Sequence, residues 1–170
     1  MSTIRLGPKP AADETPAGLV LDCHARIRSF SGLAVTLATA AAPDAEIADA
    51  ATRVHRYFTQ ALPLHVADEE QSLAPRLRRY APEVMAALAD MEREHRDHES
   101  ALAGLIAAWA SIADDPGRRA ASAEAAARLR AELERHLAAE EQLVVPTVAR
   151  LPADEQRAIL DEMRARRRKA

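Results

Sequence analysis

The stretch LPLHVADEEQSLAP (62–75) has a second version downstream, LERHLAAEEQLVVP (133–146). Both hold a His, three spacers, a Glu pair, a Gln and a later Pro, set among apolar residues. Helical neighbours stand three, four or seven residues apart. On that period the first copy aligns Phe58, Leu62, His65, Glu69 and Leu73, and the second aligns Leu129, Leu133, His136, Glu140 and Leu143. Each copy therefore predicts an amphipathic helix with one imidazole and one carboxylate on its apolar stripe.

Two further stripes flank the repeated ones. One runs Val20, His24, Ile27, Ala34, and the other Leu88, Met91, His95, Glu99, Leu102. The first helix is expected from about Pro16 to Ala41, since a Pro at a helix start gives up an N–H that is unpaired anyway. The second should span about 44–73, capped by Asp44, bent at Pro63 and ended before Pro75. A third should begin near Pro82 and end at ADDPG (113–117), and a fourth should end near Pro146. A short fifth helix, about 152–168, ends in RARRRKA. Four long helices with short connections predict an all-α, antiparallel up-down-up-down four-helix bundle with a short C-terminal fifth helix. The domain reading is a loose arm over 1–15, the bundle over 16–150, and the C-terminal helix with its basic tail over 151–170.

Composition agrees with this class. The 170 residues can bury a full core, and apolar residues make up 48% with only 3% aromatics, which favours helices over a β-sandwich. A net charge of −3 predicts no nucleic-acid footprint, and the basic tail is read as a solvated helix end. The single Cys23 excludes an intramolecular disulfide and a multi-thiolate zinc site, and is read as a small buried apolar side chain. No apolar run approaches the ~20 residues needed to cross a bilayer, and the N-terminus lacks the apolar core of a signal peptide. The expectation is a soluble, cytoplasmic protein, in which an Ala-rich helix face could pair with a second copy.

The buried carboxylates need an energetic account. An ionised, unpaired carboxylate in an apolar interior costs several kcal/mol or more, and two on converging stripes also repel. Metal cations answer both problems. Residues at i and i+4 stand about 40° apart around a helix and about 6 Å along it, so His65 with Glu69, and His136 with Glu140, can each reach one centre. Glu70 and Glu141, at i+5, point about 140° away and are read as solvated or as supports behind the ligands. Imidazole and carboxylate without thiolate suit iron, manganese or zinc. Four His and two carboxylates exceed one tetrahedral zinc and suit two octahedral ions. If both Glu bridge, the protein fills about eight of roughly twelve positions, an oxo or hydroxo bridge fills two more, and about two stay open for oxygen, peroxide or nitric oxide.

The His on the first helix, the two H-x-x-x-E-E cassettes with their following Pro, and the E-H on the third helix together resemble the hemerythrin-like (HHE cation-binding) domain family, over about residues 18–150. The resemblance implies an antiparallel bundle around a non-haem di-iron centre. It implies His24, His65, Glu69, His95, His136 and Glu140 as metal ligands, with Glu69 and Glu140 as bridges. Oxygen-carrying hemerythrins have a second His one turn after the third-helix ligand, where this chain has Glu99 with His98 beside it. The six-ligand pattern is more similar to the iron–sulfur repair and stress-response proteins of the superfamily, whose N-terminal cysteine pair is absent here.

Other residues have plainer readings. His98 competes with His95, and the E-H order favours His95. Glu99 is either a seventh ligand or an arginine's partner. His55, Met91 and Trp109 are core filling, and Tyr57 could approach the bundle interior. Two other functions stay open. A ferritin-like di-iron oxidase would use two E-x-x-H motifs, of which the chain has one, Glu92 to His95. A metal-free helical interaction module would leave the buried carboxylates unexplained. Sensing, storage and catalysis are not separated at this level.

Overall fold

The computed structural model describes residues 14–169. The arm expected over 1–15 falls almost wholly outside them. Five helices and no strand occur among the described residues. Helix α1 is Pro16–Thr39, with the Thr15 hydroxyl accepting the Gly18 N–H at 3.0 Å. This bond satisfies one of the donors that a helix start leaves free. Its buried positions Val20, His24, Ile27, Ser31, Ala34 and Ala38 alternate steps of four and three, which keeps one face inward.

Helix α2 covers residues 44–80 and is not a plain α-helix. It is built from Asp44–Arg56, a π-type turn Tyr57–Ala61, Leu62–Asp68, a second π-type turn Glu69–Leu73, and Ala74–Tyr80. Two expectations need correction here. Asp44 is not the cap, because Pro43 takes that place without a side-chain bond and Asp44 opens the first turn. The helix also does not stop before Pro75. Each π turn closes on the residue just before a proline: the Leu62 N–H reaches the Tyr57 carbonyl, and the Ala74 N–H reaches that of Glu69. The wider turn makes room for the proline ring and for the bond the proline cannot donate, so the helix passes through Pro63 and Pro75.

A 3-10 turn, Pro82–Val84, leads into α3, Met85–Asp114. A second, Pro116–Ser122, leads into α4, Ala123–Val148. Helix α5 is Ala153–Lys169. Side-chain pairs fix the directions. His24 and Arg28 of α1 meet Glu141 and Glu134 of α4, while Glu70 and Arg78 of α2 meet His95 and Glu92 of α3. Both pairings are antiparallel. Around the bundle α1 lies between α2 and α4, and α3 closes the ring.

Two apolar clusters fill the interior. One gathers Ile27, Phe58, Trp109, Leu129 and neighbours. The other gathers Val20, Leu77, Leu88, Val148 and the α5 residues Ile159 and Met163. Burying each such side chain contributes about 1.5–3 kcal/mol. Met91 and Trp109 are core residues, as expected.

The basic tail departs from its expected solvated role. Arg166 and Arg167 clasp the Asp68 carboxylate at 2.6 and 2.7 Å, and that carboxylate is fully buried. Arg166 also donates to the Ser72 hydroxyl, and Arg76 of α2 pairs with Glu155 and Glu162 of α5. The signal for this seam was present in Asp68 and in the arginine run, but only the docking of α5 brings them together. Cys23 is half-buried and not enclosed in apolar surroundings, its Sγ lying 3.6 Å from Arg167 Nη2.

Candidate metal centre

Between the two apolar clusters lies a polar layer. His24 comes from α1, His65 and Glu69 from α2, His95 from α3, and His136 and Glu140 from α4. All six are buried, with His24 at 0% and Glu69 at 1% exposure. Their donor atoms form two quartets, His24–His65–Glu69–Glu140 and Glu69–His95–His136–Glu140. Within each quartet all donor atoms lie within 4.8 Å of one another, and both quartets contain both glutamates.

The short distances repeat. His65 Nε2 to Glu69 Oε1 is 3.3 Å, His95 Nε2 to Glu69 Oε2 is 3.3 Å, His136 Nε2 to Glu140 Oε1 is 3.2 Å and His24 Nε2 to Glu140 Oε2 is 3.3 Å. Each carboxylate thus offers one oxygen to each quartet. Yet His24 Nε2, His65 Nε2, His95 Nε2, Glu69 Oε2 and both Glu140 oxygens are buried without a hydrogen bond of proper direction. Buried polar atoms are ordinarily paired. Donor atoms around an ion bonded at ~2.1 Å stand roughly 3 Å apart, close to these spacings. The residues present therefore fit a pair of cations.

The electrostatics give the same picture. Burial opposes the His24 imidazolium, but Glu140 and Glu69 outweigh it and push its pKa up to about 10. Burial likewise opposes His95, and Glu69 with Glu70 raises it to about 9. Burial alone would raise Glu69, but His65, His24 and His95 hold it well below the carboxylate range. The layer draws positive charge to itself.

Three carboxylates stand behind the imidazoles. Nδ1 of His24 donates to Glu141 at 2.9 Å, that of His95 to Glu70 at 2.9 Å, and that of His136 to Glu94 at 2.7 Å. Arg28 in turn donates to Glu141 at 2.7 Å and holds its pKa down. No carboxylate bonds Nδ1 of His65 among the described residues.

A family model described as the hemerythrin HHE cation-binding domain matches residues 15–148. The chain belongs to the hemerythrin HHE cation-binding family. No curated protein matches it closely enough to count as a relative. The HHE domain binds metal cations, and the two quartets of this hemerythrin-like chain could hold them.

The six residues singled out from sequence are the ones the fold brings together. Glu99 is corrected: it is exposed, joins neither quartet, and has no cation within ion-pair distance among the described residues. The buried stripe of α3 runs Leu88, Met91, His95, His98, Leu102, so His98 takes the inward place assigned to Glu99. His98 packs edge-on against His136, with ring centroids 5.2 Å apart, outside both quartets. Leu143 is corrected too, at 51% exposure, because the α4 stripe steps from Glu140 to Val144. Tyr57 is buried but stacks on Phe30 at 4.1 Å and joins neither quartet. What sequence reading missed is Glu94 as the partner of His136, although Glu94 was already part of the E-H signal.

Proposed function

We propose that this chain is a non-haem di-iron protein. His24, His65, Glu69, His95, His136 and Glu140 would hold two iron ions, with Glu69 and Glu140 shared between the two quartets. The protein binds a small oxidant, oxygen, peroxide or nitric oxide, in sensing, stress response or iron handling, in a cytoplasmic setting. One observation carries the reading: two buried quartets share both glutamates while six of their polar atoms lack hydrogen bonds.

Bound there, the iron pair would supply open coordination positions and redox capacity. The chain's own part is arrangement. Glu141, Glu70 and Glu94 keep protons on Nδ1 of three imidazoles, which turns the Nε2 lone pairs inward. The apolar clusters on either side exclude water and strengthen every charge interaction in the layer.

The alternatives have less support. In a ferritin-like oxidase the Glu of the E-x-x-H motif faces the centre, whereas Glu92 here pairs with Arg78. A metal-free interaction module leaves the orphaned donor atoms without purpose. Among the described residues no helix is long and apolar enough to cross a membrane.

The deciding experiment is metal analysis of protein purified without oxygen from iron-supplied cells. The expected content is about two irons per chain, with near-ultraviolet absorption after air exposure that changes on adding azide or nitric oxide. Manganese or zinc in the same stoichiometry would keep the site and replace the iron assignment. Metal-free protein with unchanged melting after exhaustive chelation would overturn the reading.

A further inference from the structure

Helix α2 packs most closely on α3 over Asp44–Arg56, and further along Glu69 and Glu70 reach across to His95. That further stretch holds both π turns of α2, each lying just before a proline. An inserted residue in a helical turn shifts the helix path. Between α2 and α3 lies a slot of about 620 Å³, beside His65, His95 and His136. A diatomic molecule needs a volume comparable to a water's ~30 Å³, whereas organic ligands fill sites of roughly 300–1,000 Å³. The slot is far larger than the proposed oxidant requires.

Its two ends differ in chemistry. One end lies between Phe58, Leu102 and Ile106 and is apolar. Toward the other end, on the side where Glu70 meets His95 across the antiparallel helices, come Gln71, Arg96 and His98. Arg96 and His98 make no ion pair or hydrogen bond among the described residues. Of the two rim carboxylates, Glu70 is already bonded by His95, which leaves Glu99 as the single uncommitted acidic group. N–H donors therefore outnumber free acceptors at the polar end.

We infer that this slot binds a medium-chain aliphatic carboxylate, with its chain between Phe58, Leu102 and Ile106 and its head at Gln71, Arg96 and His98. The inference concerns binding alone. It does not depend on which metal fills the neighbouring centre.

The test titrates full-length protein, both metal-loaded and chelator-stripped, with decanoate, butyrate and decylamine by calorimetry. One decanoate per chain is expected. Affinity should rise roughly fourfold per buried methylene from butyrate upward until the slot is full. Decylamine should bind at least about tenfold more weakly, because the slot offers donors to a carboxylate. Ala103→Trp, from the α3 wall, and Ala67→Phe, from the α2 wall, should each weaken decanoate at least about tenfold by filling the slot, with metal content unchanged. Decanoate no tighter than butyrate, decylamine equal to decanoate, or full decanoate affinity in whichever filled variant keeps wild-type helicity would each overturn the inference. Decanoate binding that persists in protein unable to load iron would sink the di-iron reading while leaving this one standing.

Discussion

Glu70 Oε1 lies 2.9 Å from His95 Nδ1, so the second glutamate of the first cassette serves the imidazole of the next helix and not that of its own. The pattern repeats around the ring. Glu94 of α3 serves His136 of α4, and Glu141 of α4 serves His24 of α1. On α2, α3 and α4 a residue beside the inward group thus orients the next helix's imidazole. The relay lapses at α1, where Cys23 stands beside His24 and contacts Arg167 instead.

Glu70→Ala should lower metal affinity by about 10- to 100-fold without abolishing binding, the usual effect of removing a carboxylate behind a ligating His. Glu69→Ala should lose most of the metal, because both quartets use that side chain. Chelator competition and metal analysis on both variants separate the outcomes. Equal loss in the two would mean that Glu70 and Glu69 do not play different parts.

Removing the metal should cost stability by mass action. At free metal a hundredfold above its Kd the cost is about 2.7 kcal/mol, which in a domain of this size lowers Tm by very roughly 5–10 °C. Differential scanning calorimetry of loaded and stripped protein measures it.

The Asp68 seam should be worth more than a surface ion pair. Replacing both Arg166 and Arg167 with Ala strands a carboxylate at 0% exposure and should destabilise the fold by about 3–5 kcal/mol. Asp68→Asn should cost less, since the buried group is then neutral. Urea unfolding with far-ultraviolet circular dichroism gives both values. A double variant within about 0.5 kcal/mol of wild type would show that α5 is not held by these pairs.

Acid should loosen α5 from α2. Arg76 holds the Glu162 carboxyl below its ordinary value of 4.5. A carboxyl depressed by folding contributes fully above its unfolded pKa, and the contribution disappears as pH falls through the folded one. The protection of α5 amides against hydrogen exchange, measured relative to the unstructured-chain rate at each pH, should therefore fall below about pH 4.5. Glu162→Gln should already exchange faster at neutral pH and lose this part of the acid sensitivity. An identical pH profile in the variant would exclude Glu162 as a cause.

The sequence by itself determined the helical class and four inward stripes with a His on each. These follow from local geometry, because positions four apart on a helix share a face whatever the helix packs against. The stripes alone held seven polar residues, and the family resemblance singled out the six. On α3 the stripe reading failed for a local reason, since His98 keeps the three-four alternation that Glu99 breaks. On α4 Leu143 keeps that alternation, yet the packed structure buries Val144 in its place. The tertiary structure alone decided which helix supports which imidazole, how α2 passes two prolines, and where the arginine tail goes. Glu70 and His95 are 25 positions apart, and Asp68 and Arg166 are 98 apart. No helical period links such pairs. They meet because the apolar stripes must be buried together, and that packing sets the neighbours.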